Sequence, residues 1–222
     1  MEQHYKNVIK ALEQFTYKRS LLTVFKDCVH VLALTFALRT DLYRQTERME
    51  DLKQSLERYA ETEKEFTAVQ NAITNMLKVS SEKFGDHLGY IYMQLVPKSA
   101  NAQGQVFTPY HIAKLMCEMT FNKDEFDNGK VLKINDPCCG GGVFSIAYCD
   151  ILNNRKINYT QQAILYSNDI DITCVEMTYL QLSFLGASAV IEHKNTLTLE
   201  KWDEFRTLGF LLAHARRHNE KI

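Results

Sequence analysis

The chain has 222 residues and a mass of 25.7 kDa, with 26 Lys plus Arg against 27 Asp plus Glu and a formal charge of −1. A hydrophobic content of 45% and a charged content of 24% exclude a disordered or fibrous chain. The even charge balance excludes a global field for nucleic acid or membrane, and the length suits one or two domains that bury a core without staples. The longest apolar stretch, residues 28–38, is well short of the roughly 20 needed to cross a bilayer. The start Met1-Glu2-Gln3-His4 lacks the basic and apolar parts of a signal peptide, so a cytoplasmic protein without a membrane span is expected. The six cysteines contain no C-x-x-C pair and read as reduced, buried thiols. His214 and His218 lie one helical turn apart without a third ligand, so no metal is expected.

All nine glycines and all three prolines fall at or after Gly85, and region 1–84 therefore reads as helical. Two or three helices over 5–79 are expected, as a small bundle or an arm. From Met49, the residues Leu52, Leu56, Tyr59, Phe66, Val69, Ile73 and Leu77 follow at spacings of three, four or seven, which predicts one long amphipathic helix. Its stripe is first a packing or dimerisation face and second a contact for DNA or a partner. Beyond Gly85 the pattern alternates. Runs 131–135, 163–168 and 189–193 read as strands, with helical segments after the first two. Ile172, Val175, Tyr179 and Leu182 mark a buried helix face, and Gly186 stands at its C-cap. The order βαβαβ predicts a parallel sheet, hence an α/β domain over 85–222.

The residue types that carry chemistry lie at strand and helix ends. In Gly104-Gln105-Val106-Phe107-Thr108-Pro109, Thr108 reads as an N-cap and Pro109 as the first helical residue, leaving free amides that suit a carboxylate. The first strand runs into Asp136-Pro137-Cys138-Cys139-Gly140-Gly141-Gly142. The glycines remove Cβ atoms and permit positive φ in a tight turn, and Asp136 can accept from a cationic amine. No Lys follows Gly142 and the G-x-G-x-x-G register is missing, so phosphate is disfavoured. The second strand ends in Asn168-Asp169-Ile170-Asp171. An acid at the end of that strand can take both ribose hydroxyls, while Asp171 reads as a helix N-cap. Together these sites outline S-adenosylmethionine.

In this order the three segments resemble the N6-adenine DNA methyltransferases of type I restriction-modification systems, over roughly residues 85–200. Gly85-Asp86-His87-Leu88-Gly89-Tyr90-Ile91-Tyr92 resembles the segment leading into their F-x-T-P-like motif. The resemblance implies a Rossmann-like core dependent on S-adenosylmethionine, behind a helical N-terminal region. Phe107 and Thr108, with Pro109, would stand by the methionine part of the cofactor. Asp136 and the loop of Cys138, Gly140 and Gly142 would hold its amino-acid end. Asp169 would bind the ribose, and Ile170 would lie against the adenine ring. Asn195 stands where many relatives carry an Asp for the adenine amine. DNA and a partner subunit or second copy are the implied partners.

One departure is large. The family grips its target with [ND]-P-P-[FYW] at the end of a fourth strand, where polar groups accept from the adenine amine and an aromatic ring stacks on the flipped base. These residues contain no Pro-Pro; the prolines are Pro97, Pro109 and Pro137. Trp202, Asp203 and Phe205 match the run-in to a fourth strand, and the likeness stops there. At about 30 residues per βαβ unit, the chain from Val131 makes roughly half a doubly wound sheet. The expectation is a cofactor-binding chain that is not catalytic alone, its missing half supplied by another chain. The alternatives are a non-catalytic interaction or regulatory protein keeping a degenerate methyltransferase fold, and an unrelated nucleotide-binding fold. The first strand's open edge calls for cover by the N-terminal helices, by residues 208–213 or by a partner. Arg206, Arg216, Arg217 and Lys221, against Glu220, read as a solvated tail ahead of a contact for DNA phosphates.

Overall fold

Because no Gly or Pro interrupts the first 84 residues, packing decides where the helices end. The computed structural model describes residues 1–96, 106–126 and 131–219, with side chains through residue 216. The N-terminal region forms four helices: α1 (Glu2–Glu13), α2 (Leu21–Ala37), α3 (Gln45–Glu57) and α4 (Glu63–Lys78). The single long helix expected from Met49 to Leu77 is therefore split. The chain turns around Tyr59, which is 1% exposed, stacks on Phe66 at 3.9 Å and donates to Asp27 Oδ2 at 2.6 Å. Burying such a ring stabilises by about 1.5–3 kcal/mol, and the bend keeps its backbone bonded, since Tyr59 N donates to Leu56 O and Thr62 N to Tyr59 O, both at 2.9 Å. The stripe fails at its start as well: Met49 and Leu56 are exposed, and α3 turns Arg48 and Ser55 inward.

After α5 (His87–Leu95) and α6 (Tyr110–Thr120), the chain alternates through β1 (Leu132–Asp136), α7 (Val143–Asn154), the short α8 (Tyr159–Gln162), β2 (Ala163–Asp169), α9 (Ile172–Phe184) and β3 (Ala189–Lys194). It closes with β4 (Lys201–Arg206) and α10 (Leu208–Asn219). Helix α6 starts one residue later than expected, since Pro109 is its N-cap with an extended ψ of 137°. Asp171 caps α9 by accepting from Thr173 N at 2.8 Å. Gly186, at φ +66°, ends that helix in a Schellman pair: Ala187 N donates to Leu182 O and Gly186 N to Ser183 O, both at 3.0 Å.

The strands lie in the order β1-β2-β3-β4. β1 and β2, and β2 and β3, pair in parallel as expected, but β4 runs antiparallel to β3 and makes the sheet mixed. The reason is length. Residues 195–200 form a tight connection, whereas a parallel crossover needs about a dozen residues or more. Asn195 Oδ1 holds that turn by accepting from Leu197 N at 2.9 Å and Thr198 N at 3.2 Å. Among the described residues β1 has β2 as its only strand partner. α10 packs on α8 and β3, α2 and α4 pack on α9, and α7 packs on β1.

Helix α9 is buried on every face from Thr173 to Leu182, with strands on one side and α2, α4 and α5 on the other. One hydrophobic cluster thereby runs from Val8 of α1 to Phe205 of β4, and a second joins α6 to α7. Five of the six free cysteines are buried as expected; Cys138 is exposed, because the glycine turn lifts it to the surface. Among the described residues no helix is long and apolar enough to cross a membrane, and no cluster of metal-ligating side chains occurs.

Candidate functional site

The carboxyl ends of β1, β2 and β3 open into a cleft of about 560 Å³, the place where ligands collect in open α/β sheets. Phe107 and Thr108 enter it from the start of α6, Cys138 and Gly140 from the loop after β1, Asp169 and Ile170 from the end of β2, and Asn195 from the turn after β3. Segments up to 88 residues apart in sequence thus share one mouth. Gly104 and Gln105 lie outside the described residues. Pro109 and Gly142 do not line the cleft: Pro109 caps α6, and Gly142 caps α7 at φ +89°. Asp136, the last residue of β1, does not line the cleft either; the residues that follow it, Pro137 and Cys138, do.

Local chemistry explains the loop. Gly140 has φ +53°, and a Cβ there would come within 3.2 Å of the Phe107 ring. Only glycine occupies that position without strain. Asp169 ties the loop to β2: its Oδ2 accepts from Gly140 N at 2.9 Å and its Oδ1 from Asp171 N at 3.0 Å. A carboxylate offers about four acceptor sites, so both oxygens keep capacity for a ligand's hydroxyls. Asn168 braces the neighbouring loops by donating to Pro137 O at 2.9 Å and Thr196 Oγ1 at 2.6 Å.

Asp136 is the exception to this satisfaction. Its Oδ1 accepts from Cys138 N at 3.4 Å, and its Oδ2 is buried with no partner. Burial pushes its carboxyl above the usual carboxylate range, the Cys138 amide pulls it down, and the charge of Asp169 adds to the rise. A buried acceptor left unpaired costs about 1–3 kcal/mol, which a cationic N–H donor would relieve. The cleft lining carries Asp169 and Asp171 and, among the described residues, no Lys, Arg or His. Asn195 is partly engaged, since the oxygen expected to meet an adenine amine already holds its own turn.

Other residues of the cleft escaped the sequence reading. Val106, Phe144 and Leu197 supply apolar wall, and Thr196 donates to Pro137 O at 2.5 Å. The positions of Phe144, two residues after the glycines, and of Thr196 and Leu197, beside Asn195, were the available signals. Thr178 and Gln181, which touch the loop from α9, gave none, because they interrupt an apolar helix without any motif.

A family model for N-6 DNA methylases matches residues 79–216. Among solved structures, the chain is similar to the type I restriction-modification methyltransferase subunit of Streptococcus thermophilus, at 13% identity and a TM-score of 0.48, over 91% of this chain and 60% of that one. It is also similar to a putative class I S-adenosylmethionine-dependent methyltransferase of Listeria monocytogenes, at 10% identity and a TM-score of 0.43, over 89% and 55%. The chain therefore spans less than two thirds of either structure's length. No curated protein matches. The family match extends over more than half of the chain and removes the reading as an unrelated nucleotide-binding fold: the protein belongs to the N-6 DNA methylase family.

Proposed function

We propose that the strand-end cleft binds S-adenosylmethionine, and that the chain is the cofactor-binding part of a DNA adenine-N6 methylation activity that these 222 residues do not perform alone. One observation carries the reading: a buried oxygen without a partner on Asp136, the residue before the Pro137-Cys138 wall of an acidic cleft whose lining holds no basic side chain among the described residues. That donor set fits the group, since it asks for a ligand with a positive amine and hydroxyls and rejects phosphates. The cofactor supplies a methyl group on a positively charged sulfur. Asp136 would accept from its amine and Asp169 from its ribose hydroxyls, while Ile170 and Phe107 would shield it from water.

Gripping the target base falls to residues outside this stretch, because it contains no Pro-Pro. DNA and either a partner subunit or a second copy of this chain are the partners that go with the reading, in a cytoplasmic setting. The unpaired edge of β1 is the place where further strands would add. The absent motif also favours a second reading, in which the chain is a non-catalytic interaction or regulatory protein with the same fold.

Calorimetric titration with S-adenosylmethionine, its demethylated product and NAD tests the first reading. Binding of the first two is expected, weakened about tenfold or more in Asp169→Ala. Equal or tighter binding of NAD would overturn it. A radiolabelled transfer assay on adenine-containing DNA is expected to show no methyl transfer by the chain alone; transfer would refute the dependence on further residues.

A further inference from the structure

Beneath the glycine loop, on the side away from the cleft, two buried side chains of α9 meet consecutive loop carbonyls. Thr178 Oγ1 donates to Gly140 O at 2.9 Å, and Gln181 Nε2 donates to Gly141 O at 2.7 Å. Spaced three apart, they share one face of the helix. Gln181 is fully used. Its Nε2 also donates to Asp86 Oδ1 at 2.8 Å, and its Oε1 accepts from His87 N at 2.7 Å and Leu88 N at 3.2 Å. Asp86 in turn accepts from Gly89 N at 2.8 Å. The fit leaves no slack: a Cβ on Gly141 would lie 2.5 Å from the Asp86 carboxylate, and one on Gly142 would lie 3.0 Å from Thr178.

Three consecutive glycines permit this loop conformation but do not select it, since glycine visits positive and negative φ about equally. Selection needs bonds that exist in one conformation only. We propose that Thr178 and Gln181 are positioning residues for the cofactor: by drawing the Gly140 and Gly141 carbonyls down onto α9, they hold the loop in its receiving shape. The proposal rests on the reading of the cleft given above. A loop released from these bonds would be competent for part of the time, and the apparent affinity would drop by that fraction.

Thr178→Val and Gln181→Met remove the donors at nearly constant volume, and Thr178→Ser restores one. Each variant is assayed for S-adenosylmethionine affinity, for the amide NMR signals of Gly140–Gly142 and for the rate at which the exposed Cys138 thiol reacts with a disulfide reagent. Cys138→Ser supplies the background from the buried cysteines. Thr178→Val and Gln181→Met are each expected to weaken binding about tenfold, to speed Cys138 labelling severalfold and to move the three glycine signals. Thr178→Ser should stay within about twofold of the wild type. Folded variants with unchanged affinity, or with unchanged glycine signals and thiol rate, would overturn the proposal. Should Gln181→Met fail to fold, Thr178→Val decides. A wild-type chain with no affinity for the cofactor would instead sink the reading of the cleft, and the thiol rate and glycine signals would still show whether the two donors restrain the loop.

Discussion

Two groups of acids in this molecule are treated in opposite ways. Where α2 and α3 meet α9 and β4, every acid has a cation. Arg48, 3% exposed, donates to Asp41 Oδ2 at 2.9 Å, to Asp203 Oδ1 at 3.0 Å and to Glu204 O at 2.8 Å, and lies 4.3 Å over the Phe205 ring. Arg44 also reaches Asp203, and His30 bridges Glu176 at 2.5 Å and Asp51 at 3.3 Å. At the cleft, Asp136 has a buried oxygen with no partner and a second acid beside it. The paired acids clasp the helical region to the α/β core, and the unpaired one marks a place that awaits a ligand's donor. Charge alone does not distinguish the two; the inventory of partners does.

The largest effect should come from breaking the clasp. Arg48→Met leaves Asp41 and Asp203 without their buried cation and is expected to cost about 3–5 kcal/mol in urea unfolding, with cofactor affinity of the folded protein within about twofold. A loss below about 1 kcal/mol would show that the clasp does not hold the helices.

Asp136→Asn should do the reverse. Its carboxyl titrates higher in the folded chain than in the unfolded one, so its ionised form opposes folding. That cost is fully present above the folded pKa and vanishes as pH falls below the unfolded one. At neutral pH the variant should therefore raise Tm of the free chain while weakening S-adenosylmethionine about ten- to hundredfold. A lowered Tm with unchanged affinity would erase the contrast between the two groups.

The smallest effect is a pH dependence of the clasp. Burial alone would lower the His30 pKa, but the hydrogen bond and charge of Glu176, with Asp51, outweigh it and raise the imidazole from 6.5 to about 9. A cation whose folded pKa is raised stabilises fully below pH 6.5 and loses that contribution as pH rises through 9. Burial also pushes Glu176 upward, and a carboxyl raised in the folded chain likewise loses stability as pH rises, so both groups act in the same direction; with His30 partly open to water, the loss across that window is expected to be about 1 kcal/mol. Thermal unfolding from pH 6 to 9.5 should show the decline in the wild type and a flatter profile in His30→Gln.

Much of the site was legible because turn chemistry is local. The triple glycine needs positive φ, Asp171 caps the helix it precedes, and Asp169 ends a buried strand; each follows from a few adjacent residues. What failed depended on distant partners. The stripe from Met49 to Leu77 has the period of one helix, yet Tyr59 bends the chain to reach Asp27 and Phe66, and Arg48 displaces Met49 from the interior to reach Asp203. A parallel fourth strand was ruled out by the length of one connection. The sequence by itself determined that the first 84 residues are helical, where β1, β2 and β3 run and which ends carry acids and glycines, since periodicity and backbone freedom act over a few residues. Only the tertiary structure decided which acids find cations, which carbonyls Thr178 and Gln181 hold and where β4 turns back. Those outcomes depend on which surfaces pack together across scores of residues, and no local pattern contains that information.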